Sequence, residues 1–556
     1  MNRWIGLVLF ILLGFLFLAA NRSARRGFFA GDELDSIGWT PQVPLATFAR
    51  ELVSPVYNRR NFRPVGHLYF RVMSRGFGLH FADYVWPLHV LHLLNAWLLW
   101  LVLRRLGVSP YAATAGALFF GFHMAVFDVY WKPMYVFDLL CATFSLASLL
   151  CWIERRWLLA FVAFWLAYKS KELAVMLPAV LAAYEYWIGP RRWRPLIPFC
   201  AASLAFGLQG VILNPNTDND YAFRFTPGAV LASVRFYAAA LCGVPSLGLA
   251  LLPLPAISRD RRLWLGASTT ALFFVPLIFL PGRLYSAYWY LPLTGLAIVL
   301  ASLANGRAGW IVAVFLAAWL PANYLALRDY GPRKLRADAP VRAYVQQLET
   351  AAPALRHTSV FLYRNLPSAL PPWGVGGALR FLLPAIEVGV YPLEAPPAAV
   401  FQRDSSVAML TWDETSRNLW ITPEATYIAM NELTPVWQLT SGWYALEKGF
   451  RWTAPWATAR LYRAPIARQF EVVLNVGPQA LLAQGYTESS VWLDGMRLGT
   501  IRSTAPGIRT ARWPIPRGSA GSAAIEFRTT PPSQSPRDPR VLGAAVISFG
   551  FLPSGR

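Results

Sequence analysis

Tyr84-Val-Trp-Pro-Leu-His-Val-Leu-His-Leu-Leu-Asn-Ala-Trp-Leu-Leu-Trp-Leu-Val-Leu103 contains no charged side chain and is closed by Arg104-Arg105. A hydrocarbon layer about 30 Å thick takes roughly 20 residues of helix, so this stretch has the length and polarity of one membrane crossing. Runs of similar character recur near 4–20, 110–127, 134–152, 157–168, 173–188, 195–213, 229–253, 263–281, 287–304 and 309–326. Together they predict a multi-pass α-helical membrane protein of about eleven transmembrane helices. The run 157–168 is short, and extends or breaks around Lys169.

Composition points the same way. Of 556 residues, 56% are hydrophobic and 14% charged, against about 25% charged in ordinary soluble chains. The apolar runs fill residues 1–330, and the remainder is mixed and Pro-rich. The formal net charge is +22. Arginine stands in short clusters between apolar runs, as membrane orientation requires, so no nucleic-acid partner is expected. All four cysteines (Cys141, Cys151, Cys200 and Cys242) precede residue 330. No disulfide framework is expected beyond it, and no zinc-type spacing occurs.

The loops set the orientation. With Arg3 in the cytoplasm, alternate loops hold Arg104-Arg105, Arg155-Arg156, Arg191-Arg192 with Arg194, Arg259 with Arg261-Arg262, and Arg307. This obeys the positive-inside rule. An odd number of spans then places the chain after 327 outside the plasma (inner) membrane, with the N-terminus cytoplasmic. The Arg-rich loop 21–83 is external on this reading, which is tolerable because long loops translocate largely regardless of charge. Residues 1–20 alternatively read as a cleaved signal peptide ending at Ala19-Ala20, which leaves the next loop outside.

Residues 331–556 read as a C-terminal extracytoplasmic β-rich region. Phe470-Glu-Val-Val-Leu-Asn-Val476 and Ser490-Val-Trp-Leu-Asp494 have strand patterns, and Asp494-Gly495 before Met496-Arg-Leu498 marks a hairpin. Val341–Leu355 has a helical pattern. Three parts are expected: a transmembrane domain over 1–330, an α/β connecting region over 331–399, and a β-sandwich-like domain over 400–556.

Charged groups at membrane depth are costly, so each is a site hypothesis. On the outer face the first loop opens with Gly31-Asp32-Glu33-Leu34-Asp35 and ends with Asn61-Phe62-Arg63-Pro64-Val65-Gly66-His67. The next external loops bring His123, Asp128, Lys132 and Asp138, then Lys169-Ser-Lys171-Glu172, then the polar stretch 214–225 with Asp218, Asp220 and Arg224, then Arg283, Tyr285, Tyr288 and Tyr290. Of the adjacent Asp32 and Glu33, one can face a cavity as a general base while an arginine holds the other; both can equally be solvated loop acids. Lys132, Lys169, Lys171 and Arg283 suit a phosphate leaving group, or snorkel to lipid head groups. Lys171-Glu172 also fits a structural ion pair. His89, His92 and Asn95 form a stripe suited to interhelical hydrogen bonds. Tyr285-Ser-Ala-Tyr-Trp-Tyr290 reads either as an interfacial aromatic belt or as a sugar or polyprenyl platform.

The order of these motifs resembles the GT-C superfamily of glycosyltransferases, particularly its protein O-mannosyltransferase-like and TMTC-like branch. The resemblance covers about residues 1–326. It rests on Asp32-Glu33 after the first helix, Asn61-Phe-Arg-Pro-Val65, His89-Val-Leu-His-Leu-Leu-Asn95, and His123 with Asp128 and Asp138. It also rests on Lys169-Ser-Lys-Glu-Leu-Ala-Val-Met-Leu-Pro178 with Tyr184-Glu185, and on Arg283 through Pro292. Met124 after the histidine and Lys132-Pro133 depart from the family pattern. The resemblance implies a GT-C-like fold and transfer of a sugar from a polyprenyl-phosphate carrier to a protein, lipid or glycan acceptor on the outer face, usually with inversion. It implies Asp32 as general base, assisted by Glu33 or Asp128. Lys132, Lys169, Lys171, Arg283 and Tyr285 would hold the donor's phosphate and lipid, with Arg63, His67, His123, Asp138 and Glu172 as supporting polar groups. No metal ligand set and no cofactor is assigned, and a divalent cation is compatible with the acids. The alternative is a transporter or flippase of lipid-linked glycans, for which intramembrane charges and broken helices are also suited.

Overall fold

Wherever the structure, a computed structural model, describes an apolar run, that run is helical. It describes residues 3–56, 62–213, 220, 222–242, 260–307, 309–394, 406–481, 484–516, 520–535 and 538–553. Arg59, Arg60, Asn61, Asp218, Arg259 and the part of the 229–253 run beyond Cys242 lie outside these residues. The helices are Arg3–Ala20, Phe81–Arg105, Pro110–Gly121, Val136–Ile153, Trp157–Ser170, Leu177–Trp187, Ile197–Ile212, Pro227–Cys242, Arg261–Ile278, Pro292–Ala304 and Gly309–Ala351. Among the described residues, four helical stretches are long and apolar enough to cross a membrane: Phe81–Arg105, Pro133–Ile153, Arg194–Ile212 and Gly309–Leu355. Pro110–Gly121 and Met124–Tyr130, bent by 69°, make a fifth if taken as one span. Ile11–Ala20, Trp157–Ser170, Pro227–Leu241 and Pro292–Ala304 are apolar but shorter. The chain is a multi-pass helical membrane protein with a β-rich C-terminal region.

The first long loop is not extended chain. It folds into three further helices, Gly31–Trp39, Leu45–Val53 and Pro64–Phe77. Glu33, three residues past Ala30, accepts the Ala30 N–H and so ties down the start of the first of them. Pro64 opens the third at a position where its missing N–H leaves nothing unsatisfied. These helices are too short and too polar to stand out as apolar runs.

Where helices cross, small residues let backbones approach. A side chain on Gly295 would run into the backbone of Gly266 and the hydroxyl of Thr270, and one on Gly266 into Gly295 and Val299. The expected polar stripe appears at His92 and Asn95. Asn95 Nδ2 donates to the Leu139 carbonyl and to the Tyr290 hydroxyl, both at 3.0 Å. His92 meets Tyr290 Oη at 2.9 Å and the Gly121 carbonyl at 3.0 Å. His89 instead packs edge-on against Phe17 and Trp86.

The chain divides into two compact units, Met1–Arg342 and Ala343–Arg556. In the second, β1 (Val360–Arg364), β2 (Gly389–Pro392), β3 (Val407–Asp413) and β4 (Asn418–Pro423) form a sheet of order β2-β1-β3-β4. β1 pairs in parallel with both β2 and β3. Parallel neighbours need a crossover, and the helix Pro372–Leu382 lies between β1 and β2 in the chain. The α/β sheet therefore takes in residues 407–423.

A nine-stranded sheet follows. Its strands are β5 (Tyr427–Ala429), β6 (Ser441–Glu447), β7 (Phe450–Arg463), β8 (Ala467–Val476), β9 (Thr487–Leu493), β10 (Met496–Ser503), β11 (Gly507–Pro514) and β12 (Gly521–Thr530). After a small ribbon of β13 (Ser533–Ser535) and β14 (Asp538–Leu542), β15 (Ala545–Pro553) completes it. The main order is β10-β9-β12-β7-β15-β8-β11, with β5 beside β15 and β6 beside β7. Asp494 (φ 48°) and Gly495 (φ 78°) form the expected tight turn between β9 and β10. A side chain at Gly499 on β10 would overlap the Trp513 indole on β11. The first and last strands of the order thus approach one another, and the sheet rolls around Phe470, Val472, Val491, Phe527 and Phe549.

Glu424 is buried in this unit with an unusual charge balance. Glu424 accepts a hydrogen bond from Ser522 Oγ at 2.6 Å and lies 4.0 Å from Arg460. Its second oxygen has no partner among the described residues. Burial pushes its carboxyl up to about 7. A raised folded-state value means that the protonated form is the one that favours folding. Its contribution is fully present below the ordinary carboxylate range and is lost as pH rises through 7. We expect Glu424→Gln to flatten the fall in stability of the full chain between about pH 5 and 8, with a gain on the order of 3 kcal/mol at the alkaline end. Unfolding midpoints measured against pH check this; parallel curves for wild type and variant would refute it.

Candidate functional site

Four segments of the membrane unit converge on one group of charges. The helix Trp157–Ser170 ends where Lys171 adopts an extended backbone, and the next turn begins at Glu172. This break lets consecutive residues point to different partners. Lys171 Nζ contacts Asp138 Oδ1 at 2.6 Å and lies 4.6 Å from the Tyr288 ring centroid. Glu172 Oε1 takes Arg63 Nε at 2.8 Å. Asp138 stands in the first turn of its helix, where the helix dipole favours a carboxylate.

Arg63 precedes Pro64, which excludes helical backbone for it. Its guanidinium lies 5.3 Å from the Phe137 ring centroid, and its N–H donates to His67 Nδ1 at 2.9 Å. Burial opposes the Arg63 charge, but the Glu172 carboxylate beside it prevails and holds the guanidinium above its ordinary value. Burial lowers the His67 imidazole to about 3 with help from Arg63, so it is neutral, as an accepting Nδ1 requires. Arg283 completes the group, with Nη2 3.4 Å from the Tyr288 hydroxyl and its guanidinium over the half-exposed Tyr285 ring. Arg63, Lys171 and Arg283 are the cations of this group, and Asp138 and Glu172 are the carboxylates that Lys171 and Arg63 contact.

A second group ties loops together. Glu33 is fully buried; its oxygens accept the N–H groups of Ala30 at 2.5 Å and Met134 at 2.9 Å. Burial raises its carboxyl above the ordinary range, against the pull of Lys132. Lys132 donates to the Phe28 carbonyl at 2.5 Å and to Asp338 Oδ1 at 2.7 Å. Asp338 also takes the Phe28 N–H at 3.0 Å. Asp128 accepts the Tyr330 hydroxyl and pairs with Lys334 at 2.9 Å. Tyr135 is within electrostatic reach of members of both groups, Glu33 and Asp128 in one and Asp138 and Tyr288 in the other.

Asp32 differs from its neighbour. It is exposed in the first turn of Gly31–Trp39, while Glu33 points inward. Lys169 lies elsewhere, donating to the Ser54 carbonyl at 2.6 Å among Trp165, Tyr168 and Phe206. His123 is buried against Phe119 and Trp319 and accepts the Ala125 N–H at 3.1 Å. Of the residues singled out in the sequence, Arg63, Asp138, Lys171, Glu172, Arg283 and Tyr285 therefore gather with Tyr288. Glu33, Asp128 and Lys132 bind the loop framework. Sequence reasoning missed Asp338, Tyr330 and Lys334. A lone acid among Arg333, Lys334, Arg336 and Arg342 was the available signal. Among the described residues, no group of three or more His, Cys, Asp or Glu side chains is placed to hold a metal ion.

No protein-family model matches the chain, and no curated protein matches it. Among solved structures it is similar to ArnT from Cupriavidus metallidurans bound to undecaprenyl phosphate, at 13% identity and a TM-score of 0.46, over 74% of this chain and 94% of that one. The apo state of ArnT gives 13% identity and 0.45, over 74% and 93%. The arabinofuranosyltransferase AftD from Mycobacteria gives 12% identity and 0.38, over 97% of this chain and 60% of that one.

Proposed function

We propose that the protein transfers a sugar from a polyprenyl-phosphate carrier to an acceptor hydroxyl at the outer face of the membrane. The observation that carries this reading is the convergence of Arg63, Lys171 and Arg283 with Tyr285 and Tyr288, in a unit that also holds long apolar helices. Cations gathered in this way suit a phosphate whose charge grows as it leaves. Asp32 takes the acceptor's hydroxyl proton, and the freed oxygen pair forms the new bond to the anomeric carbon. The bond from that carbon to the carrier oxygen breaks, and its electron pair departs with the polyprenyl phosphate toward Lys171 and Arg283. Attack opposite the leaving group inverts the centre. Glu33 and Asp128 orient the loops rather than exchange protons with the acceptor. The N-terminus lies in the cytoplasm, residues 1–330 are the transmembrane domain, and the connecting α/β part runs on through β4 before the β-rich domain begins.

The test is turnover of a labelled polyprenyl-phosphate sugar by the purified chain, with free carrier and a new glycosidic bond both measured. Their appearance in equal amounts supports the reading. Movement of intact carrier across a proteoliposome without a new bond would favour a transporter of lipid-linked glycans.

A further inference from the structure

The helix Phe81–Arg105 lends no charged group to the cluster, yet it touches three of the elements that build the site or its framework. We propose that it sets the site's geometry through one directional chain of hydrogen bonds, Asn95–Tyr290–His92–Gly121; the proposal rests on the sugar-transfer reading above. The direction follows from donor and acceptor chemistry. The Gly121 carbonyl can only accept, so His92 Nε2, 3.0 Å away, carries the proton. In the neutral ring His92 Nδ1 is then an acceptor, and the Tyr290 hydroxyl at 2.9 Å donates to it. The Tyr290 oxygen in turn accepts from Asn95 Nδ2 at 3.0 Å, and the same amide donates to the Leu139 carbonyl at 3.0 Å. Asn95 and His92 are both fully buried.

Each end of the chain reaches something that matters. Leu139 follows Asp138, the partner of Lys171. Tyr290 ends the segment whose Tyr288 lies against Lys171 and Arg283. Gly121 closes the helix Pro110–Gly121, and its carbonyl is one of the terminal acceptors that a helix cannot satisfy internally. Immediately beyond it the chain bends by 69° into Met124–Tyr130, which carries Asp128. Asn95, Tyr290 and His92 are thus positioning residues. They hold the Asp138 helix, the Arg283–Tyr290 segment and the bend in fixed relation.

The test combines kinetics with spectroscopy on the full chain. Tyr290→Phe and Asn95→Asp are expected to lower kcat about tenfold or more, because small displacements of positioned groups are costly to rate. KM for the carrier should stay within about twofold. His92→Gln, whose amide keeps one donor and one acceptor, should retain more activity than His92→Leu. Tyr290→Phe combined with His92→Leu should cost little more than the worse single change, as for groups acting as one unit. Unchanged kcat in Tyr290→Phe, or losses that multiply, would overturn the proposal. The nitrogen-15 spectrum of His92, assigned by its loss in His92→Gln, should show the neutral ring protonated at Nε2 at pH 7. The other tautomer would overturn the chain whatever the turnover. A wild type without turnover sinks the sugar-transfer reading and with it the kinetic role of this chain.

Discussion

Asp32→Asn is expected to cut sugar transfer by about 10²–10⁴-fold, the usual contribution of a positioned general base. The substitution keeps the shape and removes the proton acceptor. Asp32 is exposed at the start of its helix, so the folded state should barely notice the change, and the unfolding midpoint should match wild type. Carrier binding should also persist, because the cations that meet the phosphate are untouched. Glu33→Gln should behave differently. Glu33 takes two backbone N–H groups, so its variant should lose thermal stability and turnover together. Full turnover in Asp32→Asn would move the base elsewhere, and Asp128 would be the next acid to replace.

Breaking the Lys171–Asp138 pair should do more damage. Lys171→Met leaves the Asp138 carboxylate without its partner at 2.6 Å, and stranding one member of a buried pair costs about 3–5 kcal/mol. Loss of both stability and transfer is expected. Replacing both, Lys171→Met with Asp138→Leu, removes the stranded charge and should restore most of the unfolding midpoint. It should not restore transfer, since a cation facing the leaving phosphate is gone. Normal turnover in the double variant would reduce the pair to a structural fixture. A double variant as unstable as the single would show that the pair's surroundings cannot repack.

Much of the membrane unit was legible because a bilayer demands long apolar stretches and punishes stray charge. Lys171, Glu172 and Arg283 stood out on that ground, next to runs such as 157–168 and 287–304. The helices Gly31–Trp39, Leu45–Val53 and Pro64–Phe77 were not legible, since each is short and spends its apolar side chains on one face. Pairing was hidden too. Lys132 and Asp338 are 206 residues apart, and nothing local announces that a lysine read as a phosphate ligand already has a carboxylate. In the second unit Asp494-Gly495 identified its turn at once, because only a few residue types accept two positive φ angles in succession. The sheet order was not readable, since it depends on which distant strands meet.

That order sets a schedule for making the protein. Residues 545–553 lie in the middle of the nine-stranded sheet, between β7 and β8 and against β5, although they come last of its strands in the chain. While residues 477–544 are being made, β7 and β8 each wait with the edge that β15 will take unpaired. Such edges are templates for the wrong strand, and pairings so distant in sequence form slowly. The nine-stranded sheet therefore cannot be completed until residues 545–553 have been delivered, whereas the β2-β1-β3-β4 sheet has all its strands by residue 423.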